Sequence, residues 1–234
     1  VSVIIPARFC GPPESGNGGW TSGHLARQHP ATSTGTAVSV RLMSPPPLDR
    51  AMRTELDGDV LTLLDGDVTV AQASPSAGSE PSGIRPAVSF DEALAAGGRY
   101  AGQHEHPFPT CFSCGTEREP GDGLRLRPGP VGNGAAHAAA WVPRESSPET
   151  VWAALDCPGA WALGVGGRPM VLGTMTAWLR DLPTVGDEHV VVAWPTSSEG
   201  RKHRCGTALY AGETLLAQAE ATWIVIDPAT IRPV

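Results

Sequence analysis

The sequence predicts an α+β fold made of two matching halves, each a helix set among antiparallel strands. Three observations predict it. Residues 15–27 (SGNGGWTSGHLAR) form a glycine-led entry into a helical segment. Short β-rich runs with alternating apolar residues follow that helix and recur later in the chain. The order of features also repeats. Leu63, Gly66 and Ala71-Gln72-Ala73 align with Leu209, Gly212 and Ala217-Gln218-Ala219 at a constant offset of 146, with an acid after each glycine. Gly18-Gly19-Trp20 aligns with Gly159-Ala160-Trp161 at an offset of 141. A repeat this large implies duplicated domains rather than a solenoid. It places the units at residues 1–88, ending in a linker, and 89–234.

Taken in order, residues 1–9 are apolar and suit a first strand. In the glycine-led helix, Ser15 or Asn17 can accept a bond from the free N–H groups of the first turn. The helix should end near residues 28–30. Residues 36–43 alternate Val38, Val40 and Leu42, and Pro45-Pro46-Pro47 makes that end an edge or a bulge. Residues 51–56 and 60–64 are extended around an Asp57-Gly58 turn, and Asp65-Gly66 leads into a strand at 68–73. Residues 74–86 (SPSAGSEPSGIRP) read as a linker. A short helix at 90–96 has Ser89 as its cap, with Asp91 and Glu92 near its start. Residues 108–115, 124–127 and 135–142 read as extended pieces.

Residues 148–164 are helical in character, with Pro148 suited to the first turn and Glu149 to the positive end. Pro158 is expected to break or restart that helix around Asp156-Cys157, giving a second glycine-led start at Gly159. Strands follow at 170–179, 189–194, 204–210 and 214–226. Gln218 and Glu220 stand among apolar neighbours in the last of them, so one of its faces is polar or turned to a partner.

The bulk numbers limit the function classes. With 234 residues the chain makes one large or two small domains, and 41% hydrophobic residues supply a substantial core. A net charge of −7 argues against a nucleic-acid surface. No apolar run is long enough to span a membrane, and the start carries no signal pattern. Five cysteines, an odd number in a chain too long to need staples, read as free thiols in a reducing, cytoplasmic setting. The 28 glycines and 23 prolines lie mostly in connectors between strong apolar segments, which argues against disorder.

Several segments together resemble a known family. They are Asn17-Gly18-Gly19 ahead of the first helix, and Gly200-Arg201-Lys202 before the hairpin that turns at Gly212. Two more are Cys111-Phe112-Ser113-Cys114-Gly115 and Ala153-Ala154-Leu155-Asp156-Cys157-Pro158-Gly159. They resemble the tandem, or double, hotdog-fold proteins of the acyl-CoA thioesterase superfamily, and the last two resemble thioesterase-like proteins of actinobacterial type. The resemblance implies a long antiparallel sheet wrapped around a central helix, twice over, with both helices on the concave side. It implies an active site where a helix N-terminus meets the other unit, and hydrolysis of an acyl thioester, acyl-CoA being the expected substrate. Two departures stand out: Asn17 replaces the histidine of the family's His-Gly-Gly, and a proline precedes the second glycine.

The candidate residues follow. Asp156 can activate water or attack a thioester directly, or simply cap a helix. Asn17 offers an uncharged donor and acceptor, and the N–H groups of Gly18 and Gly19 offer an oxyanion site. The same glycines also read as a turn into an ordinary helix. Gly159, Trp20 and Trp161, with Leu163, are candidates for the acyl pocket. Arg201 and Lys202, in the one dense basic run, can bind the phosphates of CoA or lie in a solvated loop. Glu14 is a second carboxylate or a loop acid. His24 is structural, or the base of a dehydratase.

Cys111-x-x-Cys114, with His104 and His106 nearby, invites zinc, but four ligands are needed and no second such pair exists. Cys205 and His203 form a looser pair. The other reading of these cysteines is buried free thiols. No nucleophile elbow, P-loop or dinucleotide fingerprint is present, so no cofactor and no metal ligand set is assigned. Two rivals to the hydrolase remain: a non-catalytic acyl-binding protein, and an interaction module stapled by zinc at Cys111 and Cys114. A homodimer of such chains is left open.

Overall fold

The structure is a computed structural model that describes residues 2–227 except 79 and 82. Val1 of the expected first strand, Ser79 and Ser82 of the linker, and residues 228–234 lie outside the described residues. The first half contributes β1 (Ser2–Val3), α1 (Gly18–Gln28), β2 (Val38–Leu42), β3 (Met52–Asp57), β4 (Val60–Asp65) and β5 (Val68–Pro75). The second contributes α2 (Phe90–Gly97), β6 (Gly129–Val131), β7 (Ala136–Trp141), α3 (Pro148–Ala162), β8 (Met170–Leu179), β9 (His189–Glu199), β10 (Lys202–Ala211) and β11 (Thr214–Val225). The strands join in one sheet of order β1-β3-β4-β5-β2-β8-β11-β10-β9-β7-β6. The described neighbours are all antiparallel. The halves meet edge to edge where β2 pairs with β8, Val40 lying opposite Met175.

The hairpin repeat holds in three dimensions. In β4–β5 the register slips between Leu63 and Leu64, with Leu63 opposite Ala71 and Leu64 opposite Thr69. In β10–β11 it slips between Leu209 and Tyr210, with Leu209 opposite Ala217 and Tyr210 opposite Leu215. Each of these positions is displaced by 146, so the two hairpins share turn, bulge and register. Gly66 and Gly212 take φ of 57° at the two turns, a conformation that costs other residues energy.

The two long helices pack against each other and against one side of the sheet. Along their contact, Gly19 faces Asp156 and Gly23 faces Trp152, so α1 and α3 run antiparallel. Val191 and Leu209 join the core cluster that holds Leu155 and Ala154 of α3. Their neighbours Val190, Val192, Ala208 and Tyr210 point to the opposite side, where Ala93 and Ala96 of α2 cover them. This alternation is the period of two that a sheet covered on both faces requires. Ser89 caps α2 by accepting from Glu92 N–H, as its sequence suggests.

Several expectations need correction. Only Ser2–Val3 of residues 1–9 pairs as a strand, and Ala7–Phe9 is a 3₁₀ turn. Residues 108–115 form turns and residues 124–127 are irregular, so neither is a strand. They wrap over the ends of both helices, with Phe112 N–H donating to Cys10 O at 2.7 Å. The turn between β3 and β4 falls at Gly58-Asp59, one residue later than expected. Of the two polar residues expected on one face of the last strand, Glu220 is exposed, while Gln218 is buried and donates to Glu80 at 2.6 Å.

The largest correction concerns α3. It runs without a break through Pro158, and its N-terminus is capped by Ser147 in a capping box with Thr150. Asp156 therefore lies in the body of the helix and does not cap α3. Gly159 lies in its last turns, so Gly159-Ala160-Trp161 does not match Gly18-Gly19-Trp20 at the start of α1. Proline removes one helix hydrogen bond, and burial of nearly every residue of α3 offsets that loss.

Candidate active site

The site begins with the way α1 starts. Asn17 N–H donates to Phe9 O at 2.7 Å, which fixes the entering chain. The Asn17 side-chain oxygen accepts from Trp20 N–H at 2.8 Å, so Asn17, not Ser15, is the cap. Its amide nitrogen then points away from α1, toward the sulfurs of Cys111 at 3.6 Å and Cys157 at 3.9 Å.

Two glycines let α1 come this close to α3. A Cβ on Gly19 would lie 2.5 Å from Asp156 Cβ, and one on Gly23 would lie 2.8 Å from Trp152 Cβ. This approach brings Gly19 N–H within 2.9 Å of Asp156 Oδ2. The glycines thus serve helix packing first. Gly19 spends its N–H on Asp156 and does not supply it to a ligand. Gly18 N–H remains without a partner among the described residues.

Asp156 is 2% exposed, and its second oxygen, Oδ1, is buried with no hydrogen-bond partner among the described residues. Burial pushes its carboxyl up to about 8. The Gly19 N–H and Asn17 pull it back, and the neighbouring Cys111 adds to the rise. An ordinary core aspartate satisfies both oxygens, so the free one sets this residue apart.

Asp156 opens on a cavity of about 230 Å³ between the two halves. Asn17, Gly18 and Leu42 of the first half line it together with Cys157, Trp161 and Leu172 of the second. Trp161 is braced edge-on by Tyr100 at 4.7 Å and His106 at 5.1 Å between ring centroids. Trp20 and Leu163 do not reach the cavity. Trp20 stacks between Phe9, at 4.1 Å, and His24, at 5.1 Å. Gly159 is also outside it. A Cβ there would lie 2.4 Å from Cys205 Sγ, so this glycine lets α3 sit down on β10.

Arg201, in the turn after β9, and Lys202, the first residue of β10, are exposed. They do not line the cavity, but Arg201 O accepts from Val225 N–H, next to Ile226 in the cavity wall. Glu14 is exposed on the loop before α1. His24 lies 3.3 Å from Glu149, which Arg27 also holds at 2.5 Å, at the far end of the helix pair.

The feature that sequence reasoning missed is Cys157. Its sulfur is 3.6 Å from that of Cys111, and the sulfurs of Cys111, Cys114 and Cys157 all lie within 4.8 Å of one another. All three residues are buried and all border the cavity. His106 Nε2 is 3.4 Å from Cys114 Sγ. His104 is exposed, and Cys205 stands apart under Gly159. Cys157 stands 46 residues from Cys111, so a linear spacing rule does not carry it.

No protein-family model matches the sequence, and no curated protein matches it either. Solved structures do match. A tesB protein of Mycobacterium avium subspecies paratuberculosis superposes with a TM-score of 0.59 at 13% identity, over 96% of this chain and 91% of that one. A conserved hot dog fold protein of unknown function from Alicyclobacillus acidocaldarius gives 0.60 at 14% identity, over 97% and 93%. An acyl-CoA thioesterase II, TesB2, of Mycobacterium marinum gives 0.53 at 10% identity, over 97% and 93%. These likenesses span both halves, and with the continuous eleven-stranded sheet they establish the double-hotdog fold. Among the described residues no helix is long and apolar enough to cross a membrane.

Proposed function

We propose that this chain hydrolyses an acyl thioester, with acyl-CoA as the carrier to test first. The observation that carries the reading is the unpartnered Oδ1 of Asp156, a buried residue in the lining of the cavity between the two halves. Gly19 N–H anchors the other oxygen and so aims the free one. In this reading Asp156 takes a proton from water as the water oxygen attacks the thioester carbon. The carbonyl oxygen becomes negative and is met by Gly18 N–H and by the Asn17 amide, which stands 3.6 Å and 3.9 Å from the sulfurs of Cys111 and Cys157 and beside Asp156. The C–S bond then breaks, and the leaving thiolate takes the proton back from Asp156. A carboxyl poised near 8 is close enough to neutrality to exchange a proton in both directions.

Trp161, Leu172 and Leu42 would hold a short acyl chain. Gly159 and Trp20 are assigned to packing, and Gly19 to positioning Asp156. Arg201 and Lys202, near the cavity edge, remain the proposed contacts for CoA phosphates. We place the two units at residues 1–88 and 89–234, and the work of the protein in a reducing compartment, which the five buried free cysteines suit.

The test is release of free thiol from a panel of acyl-CoA esters of graded length, run beside the matching short thioesters that lack the nucleotide. Wild type is expected to turn over the shorter chains, and Asp156→Asn to lose about 100-fold or more in kcat. Equal turnover by Asp156→Asn removes this carboxyl from the chemistry. Equal KM for the two carriers removes Arg201 and Lys202 from recognition. Tight binding without turnover supports the acyl-binding reading, which the mainly neutral state of Asp156 at pH 7 favours.

A further inference from the structure

The turn that carries Cys111 and Cys114 is built to hold its sulfurs in place, although it contains no strand or helix. Gly115 N–H closes it on Cys111 O at 2.8 Å, and a Cβ at Gly115 would lie 2.5 Å from both Cys111 O and Pro109 O. Leu126 N–H donates to Ser113 O at 2.9 Å, and Tyr100 Oη donates to Cys114 O at 3.0 Å. Ser113 Oγ donates to Ala153 O at 2.7 Å, which docks the turn on α3 one helical turn before Cys157. Three thiols from two separate segments therefore converge on one point before any ligand is present. A thiol is both a weak donor and a weak acceptor, so the three can bond one another, and the same spacing suits a metal that takes soft sulfur ligands. Zinc bonded to sulfur at about 2.3 Å in a tetrahedron sets the sulfurs about 3.8 Å apart. The Cys111–Cys157 separation is 3.6 Å, and no pair in the cluster exceeds 4.8 Å.

His106 is the obvious fourth ligand, but its hydrogen bonds exclude it. Its Nδ1 accepts from Phe108 N–H at 3.0 Å, so the ring proton resides on Nε2, which faces Cys114 O at 3.2 Å. A protonated nitrogen has no lone pair to give a metal. Asn17 is committed as well, because its oxygen caps α1. The side of the cluster left over is the one toward the cavity, which Cys111, Cys114 and Cys157 all border.

We propose that Cys111, Cys114 and Cys157 form a three-thiolate zinc site whose fourth coordination position opens into the cavity and is filled there by water. On binding, each thiol gives its proton to solvent and the metal joins the turn to α3. Three protein ligands with an open position is the pattern of reactive zinc sites, where closed structural sites use four. The site stands independently of thioester hydrolysis, since its test reads metal and not turnover.

The test uses the full chain, purified under reducing conditions without chelator, with zinc measured by elemental analysis and cobalt substitution followed by visible absorption. About one zinc per chain is expected, with thiolate–cobalt absorption on substitution. Cys111→Ser, Cys114→Ser and Cys157→Ser should each lower zinc affinity at least about 10-fold, measured by competition with a chromophoric chelator. Cys10→Ser and Cys205→Ser, which alter buried thiols outside the cluster, should keep one zinc and control for misfolding, as should matching circular dichroism. His106→Ala should keep it too, and loss of zinc there would overturn the open fourth position. Failure of the reduced wild-type protein to take up zinc overturns the site, as does full retention by Cys157→Ser. A Cys111–Cys157 disulfide found by mass spectrometry in protein that takes up no zinc does the same.

Discussion

Glu149 and Asp156 are two buried acids on one helix, two turns apart, and their surroundings drive them in opposite directions. Burial pushes Glu149 up, yet the hydrogen bonds of His24 and Arg27 overcome that and hold it at about 2. Asp156 has no cation to oppose burial and rises. The depressed Glu149 makes a stability prediction. Its folded value lies below its unfolded one, so its contribution is fully present above about pH 4.5 and is lost as pH falls toward 2. Arg27 is half exposed, so solvent screening limits the effect to about 1 kcal/mol. The Tm of wild type should fall across that window more steeply than that of Glu149→Gln, and parallel curves would show that the ion pair adds nothing. At this scale the caps were readable from sequence, because the Asn17 and Ser89 side-chain oxygens accept from N–H groups only three residues on. The partners of Asp156 and Cys157 were not, because Gly19 and Cys111 reach them from 137 and 46 residues away.

Elements that depend on local chemistry matched their sequence signals, and elements that depend on their surroundings did not. The two hairpins repeat down to the bulge because the Gly66-Asp67 and Gly212-Glu213 turns set register by themselves. Pro158 misled because helix breaking is a local rule, and α3 is buried on every side. The same burial makes α1–α3 packing sensitive to one methyl group. Gly19→Ala gains about 1 kcal/mol of helix propensity on an exposed helix. Here the new Cβ would meet Asp156 Cβ at 2.5 Å and Trp152 O at 2.6 Å, and neither atom is the end of a flexible chain. Overpacking should win, with a net loss of about 1–3 kcal/mol in urea unfolding. Gly66→Ala, at a turn with open space, should lose only the cost of its positive φ. Equal stability of Gly19→Ala and wild type would contradict the close helix crossing.

For the whole molecule, the sheet continues across the β2–β8 seam and the main core takes residues from both halves, Val40 and Leu63 beside Leu155 and Met175. The halves should therefore unfold together. Tryptophan fluorescence and far-ultraviolet circular dichroism in urea are expected to give one coincident transition, and separated midpoints would show two independent units. The cavity also straddles the seam, with Asn17 from one half and Asp156 from the other. A symmetric pair of separate chains would have to carry every such group twice, because one gene encodes both partners. Covalent fusion lifts that constraint. One copy is free to specialise in presenting backbone donors while its sibling keeps the acid and the thiols, and a mutation on either side of the seam is felt once instead of twice.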